Sequence, residues 1–169
     1  MIYVLQVTPQ KEQDAKDGLS RVGYKNIYIP EELRQLRRRG KWIEEKRKLF
    51  SGYVFLDLKE EMRPVDYFYI KRLDYVIRLL GLVKHNALPL PLPPEEAELI
   101  LWCANSDNPI EPSTAEVGQE IRIVSGILKG KEGSIKKINR RQRRCTIEIK
   151  TLDITHTVDL SLNFVKTLV

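Results

Sequence analysis

An α+β sandwich followed by a small all-β barrel is the architecture this chain predicts, and three observations carry it. Strand-like and helix-like runs alternate over residues 1–104. A stretch rich in Asn, Ser, Pro and Thr then interrupts the chain at 105–117. Beyond it lie only short β-runs separated by turn residues. With 169 residues the chain has room for one medium domain or two small ones, at roughly 100–200 residues per domain. The expected division is therefore a first domain at 1–104, a linker at 105–117 and a second domain at 118–169.

Each element has its own warrant. Residues 2–7 form a strand with apolar side chains on both faces, suited to the middle of a sheet. Ala15, Leu19 and Val22 share one side of a helix over 10–22. A short β-run at 26–30 follows, with Ile27 and Ile29 on one face. The strand at 52–58 turns Val54, Leu56 and Leu58 one way and Tyr53 and Phe55 the other. Pro64 suits the first turn of a helix that runs to about Leu73, and 75–80 returns to strand. Glu95, Glu96 and Glu98 place negative charge at the positive end of a third helix. In the second part, 119–125, 132–139, 145–151 and 154–160 read as strands, and 164–168 as one that closes the set. So many short strands in so few residues bury a core best by curling into a small barrel.

Several function classes are excluded. The composition, 42% hydrophobic and 31% charged, is that of a globular chain. No apolar run approaches the roughly 18 residues of a spanning helix, and the start lacks the pattern of a secretory signal. The two cysteines, Cys103 and Cys145, lie far apart, as in a reduced, cytoplasmic protein without membrane contact. His85 and His156 have no second ligand at metal-binding spacing. Gly126, Gly130 and Gly133 do not have the spacing of a phosphate loop, and Glu132 stands where Ser or Thr should follow the lysine. No catalytic residue, metal site or cofactor is expected, and the protein reads as a non-enzyme.

Binding chemistry is more plentiful. The net charge is +6, with 18 basic against 16 acidic residues in 1–110 and 11 against 7 in 111–169, an excess that favours polyanionic partners. Residues 34–48 hold eight basic and two acidic side chains and one tryptophan. Arg37, Arg38, Arg39 and Lys41 flank Gly40, a pattern that fits either a protruding hairpin touching phosphates or a merely solvated loop. Phe50, Tyr53 and Phe55 form an apolar protein-binding patch if no other element covers them, and ordinary core if one does. Lys129, Lys131, Lys136 and Lys137 lead into Arg140, Arg141, Arg143 and Arg144, a turn whose charge density suits an RNA or DNA backbone, with a solvated turn as the alternative.

Taken in order, these segments resemble the NusG family of transcription elongation factors over nearly the whole chain. The opening YVLQV and the charged helix after it are similar to the family's start, and LFSGYVFLDL to its FPGYVFV strand, with Ser51 replacing proline. YVIRLLG and LPLPPEEAELI look like the following segment and helix. VGQEIRIVSGILKGKEGSIKKIN is similar to a KOW motif, with Gly118, Gly126 and Gly133 at its expected points. The resemblance implies a NusG-type α+β domain that binds the clamp helices of RNA polymerase through Phe50, Tyr53 and Phe55, joined to an SH3-like KOW barrel. It also implies that the basic loop of Arg37, Arg38, Arg39 and Lys41 faces upstream or non-template DNA. RRRGKW and RRQRR are similar to the LoaP group of specialised antiterminators, which implies a monomeric factor that suppresses pausing and termination and whose KOW domain binds a nascent RNA hairpin. A housekeeping NusG-like factor and a KOW-containing ribosome-associated RNA-binding protein are the alternatives.

Overall fold

The computed structural model describes residues 1–81, 88–104, 109–117, 121–152 and 154–166. The chain divides into two compact units. The first comprises Met1–Ile29, Phe50–Leu101 and Lys150–Ile154, and the second Pro30–Leu49, Trp102–Ile149 and Thr155–Val169.

In the first unit β1 (Ile2–Val7), β2 (Ile27–Tyr28), β5 (Tyr53–Asp57) and β6 (Val76–Leu79) form an antiparallel sheet in the order β2-β5-β1-β6. Helices α1 (Glu12–Arg21) and α2 (Pro64–Lys71) contribute Ala15, Leu19 and Ile70 to a core that also holds Tyr3, Leu5, Val7, Val54 and Leu56. Acidic Glu12 and Asp14 begin α1 and Arg21 ends it, opposite in sign to the charge at each end of the helix dipole. Pro64 opens α2, where its missing N–H costs nothing, and the Asp66 carboxylate accepts from the Arg63 amide at 3.1 Å. The third helix, α3 (Pro94–Ala104), begins with Glu95 and Glu96, as expected.

The aromatic trio corrects an expectation. Phe50 and Phe55 are 2% and 0% exposed, and only Tyr53 is partly accessible. On the inner strand β5, Phe55 is flanked in register by Val4 and Tyr28, and Phe50 packs against it. The Phe50 ring meets Phe55 edge-on at 5.3 Å between centroids, a favourable aromatic geometry. The two phenylalanines are core rather than an open patch. The large apolar side chains that this unit does expose include Val65, Phe68 and Tyr69 on α2, and Tyr75 and Ile77 beyond it.

In the second unit β7 (Ser113–Val117), β8 (Ile121–Ser125), β9 (Ile135–Asn139), β10 (Arg144–Thr151) and β11 (Ile154–Lys166) form a sheet in the order β8-β7-β11-β10-β9. All pairings described in it are antiparallel except β7 with β11, which is parallel. The expected linker therefore contains a strand at 113–117, masked in the sequence by its short, mixed composition. Residues 105–108 of that linker, and Gly118, lie outside the described residues. The runs at 154–160 and 164–168 are not separate: β11 is continuous to Lys166, and 167–168 lie outside the described residues. Gly126, a glycine of the KOW-like motif, has φ +90°, and a Cβ there would stand 2.5 Å from Ser113. The strand hidden in the expected linker is thus what makes glycine necessary at that point.

The hairpin of β3 (Glu31–Arg38) and β4 (Lys41–Lys48), expected with the first domain, belongs to the second unit. Its backbone finds its partners there. Leu33 N donates to Ile110 O at 2.8 Å, Ile110 N to Glu31 O at 2.7 Å, and Gln35 N to the Ser161 hydroxyl at 3.1 Å.

Candidate nucleic-acid interface

The hairpin pairs in register from Glu31 opposite Lys48 to Arg38 opposite Lys41. Its two turn residues, Arg39 at φ 48° and Gly40 at φ 81°, both occupy the left-handed region, as a tight hairpin turn matched to strand twist requires. Arg37, Arg38, Arg39 and Lys41 are exposed at this end, so a protruding basic hairpin is what the segment forms. Arg38 reaches Glu45 at 3.7 Å, a surface pair of little energetic weight.

The turn between β9 and β10 is held by Asn139. Its side-chain oxygen accepts from Gln142 N at 3.0 Å, and its amide donates to the Gln142 side chain at 3.1 Å. Four arginines emerge from this turn, and they do not project together. Arg140 and Arg141 are exposed, and Arg143 is half-buried with its guanidinium 4.2 Å above the Trp42 ring. Arg144 is buried, contrary to expectation. Its Nη2 donates to Glu32 Oε1 at 2.8 Å, and the second Glu32 oxygen accepts from Ser161 N at 3.0 Å. Burying that guanidinium is tolerable because a fully buried carboxylate meets it.

Hairpin and turn, both in the second unit, together line a cavity of about 350 Å³ bordered by Arg34, Gln35, Leu36, Arg37, Trp42, Arg141, Gln142 and Arg144. Arg34 Nε, Arg144 Nε, Arg144 Nη1 and the Gln35 side-chain oxygen are buried without hydrogen-bond partners among the described residues. Burial first, and then the neighbouring cations Arg144 and Arg47, hold the Arg34 guanidinium below its ordinary value, with Glu32 and Glu45 opposing. Such a cavity offers guanidinium donors, one amide acceptor and an indole face.

The expected site residues are therefore partly united. Arg37, Arg141 and Arg144 line one cavity, and Arg143 joins them through Trp42. Lys129 and Lys131, between β8 and β9, and Lys136 and Lys137, on β9, are exposed and do not line it. Glu32, Arg34, Gln35 and Trp42 were not singled out as site residues. Trp42 carried the signal, as the one large aromatic side chain in an otherwise charged stretch. Among the described residues no three His, Cys, Asp or Glu side chains are placed to hold a metal ion, and no helix is long and apolar enough to cross a membrane.

The family described as transcription termination factor nusG matches residues 2–101. The transcription termination/antitermination protein NusG of Thermus thermophilus is 29% identical over 144 residues, covering 81% of this chain and 77% of that one. The protein of the same name from Staphylococcus carnosus is 26% identical over 121 residues, 72% of this chain and 65% of its own length. Among solved structures, one described as "Domain interaction in Thermotoga maritima NusG" superposes with a TM-score of 0.54 at 21% identity, covering 95% of this chain and 92% of that one. It supports the fold: an α+β first part followed by an all-β region of KOW type.

Proposed function

Because this chain belongs to the NusG family, whose members are transcription factors rather than enzymes, we propose that it binds RNA polymerase through its first unit and suppresses pausing and termination. In this reading the second unit holds nascent RNA. The observation that supports the RNA role is the grouping of Arg34, Arg37, Arg141 and Arg144 with the Arg143–Trp42 stack in one unit. Guanidinium groups and an aromatic face are the chemistry by which unpaired bases and phosphates are held. Arg38, Arg39 and Lys41, exposed around the hairpin turn, serve as the contact to upstream or non-template DNA.

The mechanism is mechanical. A factor bridging the polymerase clamp stabilises the closed form, and pauses or terminators that need clamp opening are disfavoured. A differential affinity of about 1.4 kcal/mol changes the closed-to-open ratio roughly tenfold, so modest binding energy suffices. Of the aromatic trio, Tyr53 has surface to offer the polymerase, while Phe50 and Phe55 support the strand beneath it.

The RRRGKW and RRQRR segments support a specialised antiterminator of the LoaP type. A housekeeping NusG-like elongation role is the alternative, and the Thermus and Staphylococcus relatives, named termination/antitermination protein NusG, do not separate the two. Purified transcription across an intrinsic terminator separates the two readings. Readthrough that rises only when the operon's own leader RNA lies upstream supports the specialised role. An equal effect with and without that leader supports the housekeeping one.

A further inference from the structure

We infer that the cavity between the β3–β4 hairpin and the β9–β10 turn receives one unstacked RNA nucleotide, its base against the Trp42–Arg143 pair and its phosphate on Arg34, Arg37 and Arg144. This rests on the reading that the second unit holds RNA, and it names the place and the manner.

Three observations carry it. The cavity, about 350 Å³, lies at the small end of the roughly 300–1,000 Å³ range of ligand pockets. That is room for a single nucleotide and not for a duplex. Second, its walls hold buried hydrogen-bonding atoms without partners among the described residues: three guanidinium nitrogens, on Arg34 and Arg144, and the Gln35 oxygen. Leaving such atoms unpaired costs free energy, which a small shift of these lining side chains toward a ligand rich in acceptors, with at least one donor, recovers. A nucleotide has both, in its phosphate and sugar oxygens and its base N–H groups, whereas inorganic phosphate lacks the aromatic part. Third, Trp42 is the one aromatic side chain in the mostly charged strand β4, and Arg143 already stacks on it at 4.2 Å. Base-on-aromatic and base-on-guanidinium contacts hold unpaired nucleotides in this way. The Glu32 carboxylate does not repel the ligand from the cavity, since Arg144 and the Ser161 amide engage both of its oxygens.

The test uses the full chain and a fluorescein-labelled, twelve-nucleotide single-stranded RNA of mixed sequence, with its duplex as control. Binding is followed by anisotropy at several salt concentrations. Trp42→Leu should weaken single-strand binding about five- to 150-fold, the loss for one base of about 1–3 kcal/mol of stacking, while leaving the salt dependence unchanged. Trp42→Phe should bind within about threefold of wild type, which separates stacking from any effect on folding. Arg37→Gln should instead lower the slope of log affinity against log salt by about 0.7. AMP should compete better than inorganic phosphate at equal concentration. Equal affinity of Trp42→Leu and wild type overturns the pocket, as does duplex binding as tight as single-strand binding. If the pocket fails but neutralising Arg140 and Lys137, which are exposed and do not line it, still weakens binding, RNA is held on the outer surface and the broader reading stands. Wild type binding no RNA overturns both.

Discussion

Replacing Glu32 by Leu should strongly destabilise the second unit, although Glu32 lies in a hairpin distant in sequence from the strands of that unit's five-stranded sheet. Its side chain is 1% exposed, and its two oxygens accept from Arg144 Nη2 at 2.8 Å and from Ser161 N at 3.0 Å. The substitution leaves a buried guanidinium without its counter-charge and a buried amide without its acceptor. Breaking a buried ion pair from one side costs about 3–5 kcal/mol, against a total stability of about 5–15 kcal/mol for a domain. Both tryptophans, Trp42 and Trp102, belong to the second unit, so intrinsic fluorescence during urea unfolding reads that unit. At a slope of about 2 kcal/mol per molar urea, a loss of about 4 kcal/mol moves the midpoint down by about 2 M. Salt should change this loss little, because the pair is shielded from solvent ions. Glu32→Leu combined with Arg144→Met should recover part of the loss, since removing both charges removes the unpaired buried guanidinium, and should stay about 1–3 kcal/mol below wild type because the Ser161 amide still lacks its acceptor. A loss under about 1 kcal/mol for Glu32→Leu alone, or a double variant as unstable as the two single losses added, refutes the reasoning.

Phe55→Ala should destabilise the first unit by about 3–5 kcal/mol through the cavity it leaves, while Tyr53→Ala, at a partly exposed position, costs clearly less in thermal melts. Asp66 is held below its ordinary value of 3.8, first by the side-chain hydrogen bond from Arg63, so its contribution is full above that value and lost as pH falls below it. Acid titration of Asp66→Asn should therefore show a shallower loss of stability below about pH 4 than wild type, and an unchanged profile counts against the pairing. Burial pushes the thiols of Cys103 and Cys145 up to about 12 and about 11, so a thiol reagent at pH 8 should label them slowly in the folded protein and quickly in urea; prompt labelling without denaturant contradicts their burial.

Local chemistry alone determined much of this molecule. The period-2 run around Val54 and Leu56, the helical spacing of Ala15 and Leu19, Pro64 before α2 and the Arg39–Gly40 turn each specify an element through contacts a few residues away. The basic character of residues 34–48 and 129–144 is equally a property of composition. Side-chain alternation, by contrast, says which faces a strand has and not what covers each of them. It separated Phe55 from Val54 and Leu56 correctly and could not say that both faces of an inner strand are buried. The same limit hid β7, whose sequence STAEV becomes a strand by pairing with β8 and β11. It also hid the role of Arg144. Four arginines in five residues look alike along the chain, yet one enters the interior because the hairpin brings Glu32, 112 positions away, within 2.8 Å. The cost of burying a charge is cancelled only by a partner at contact distance, and such partners are assembled by long-range packing.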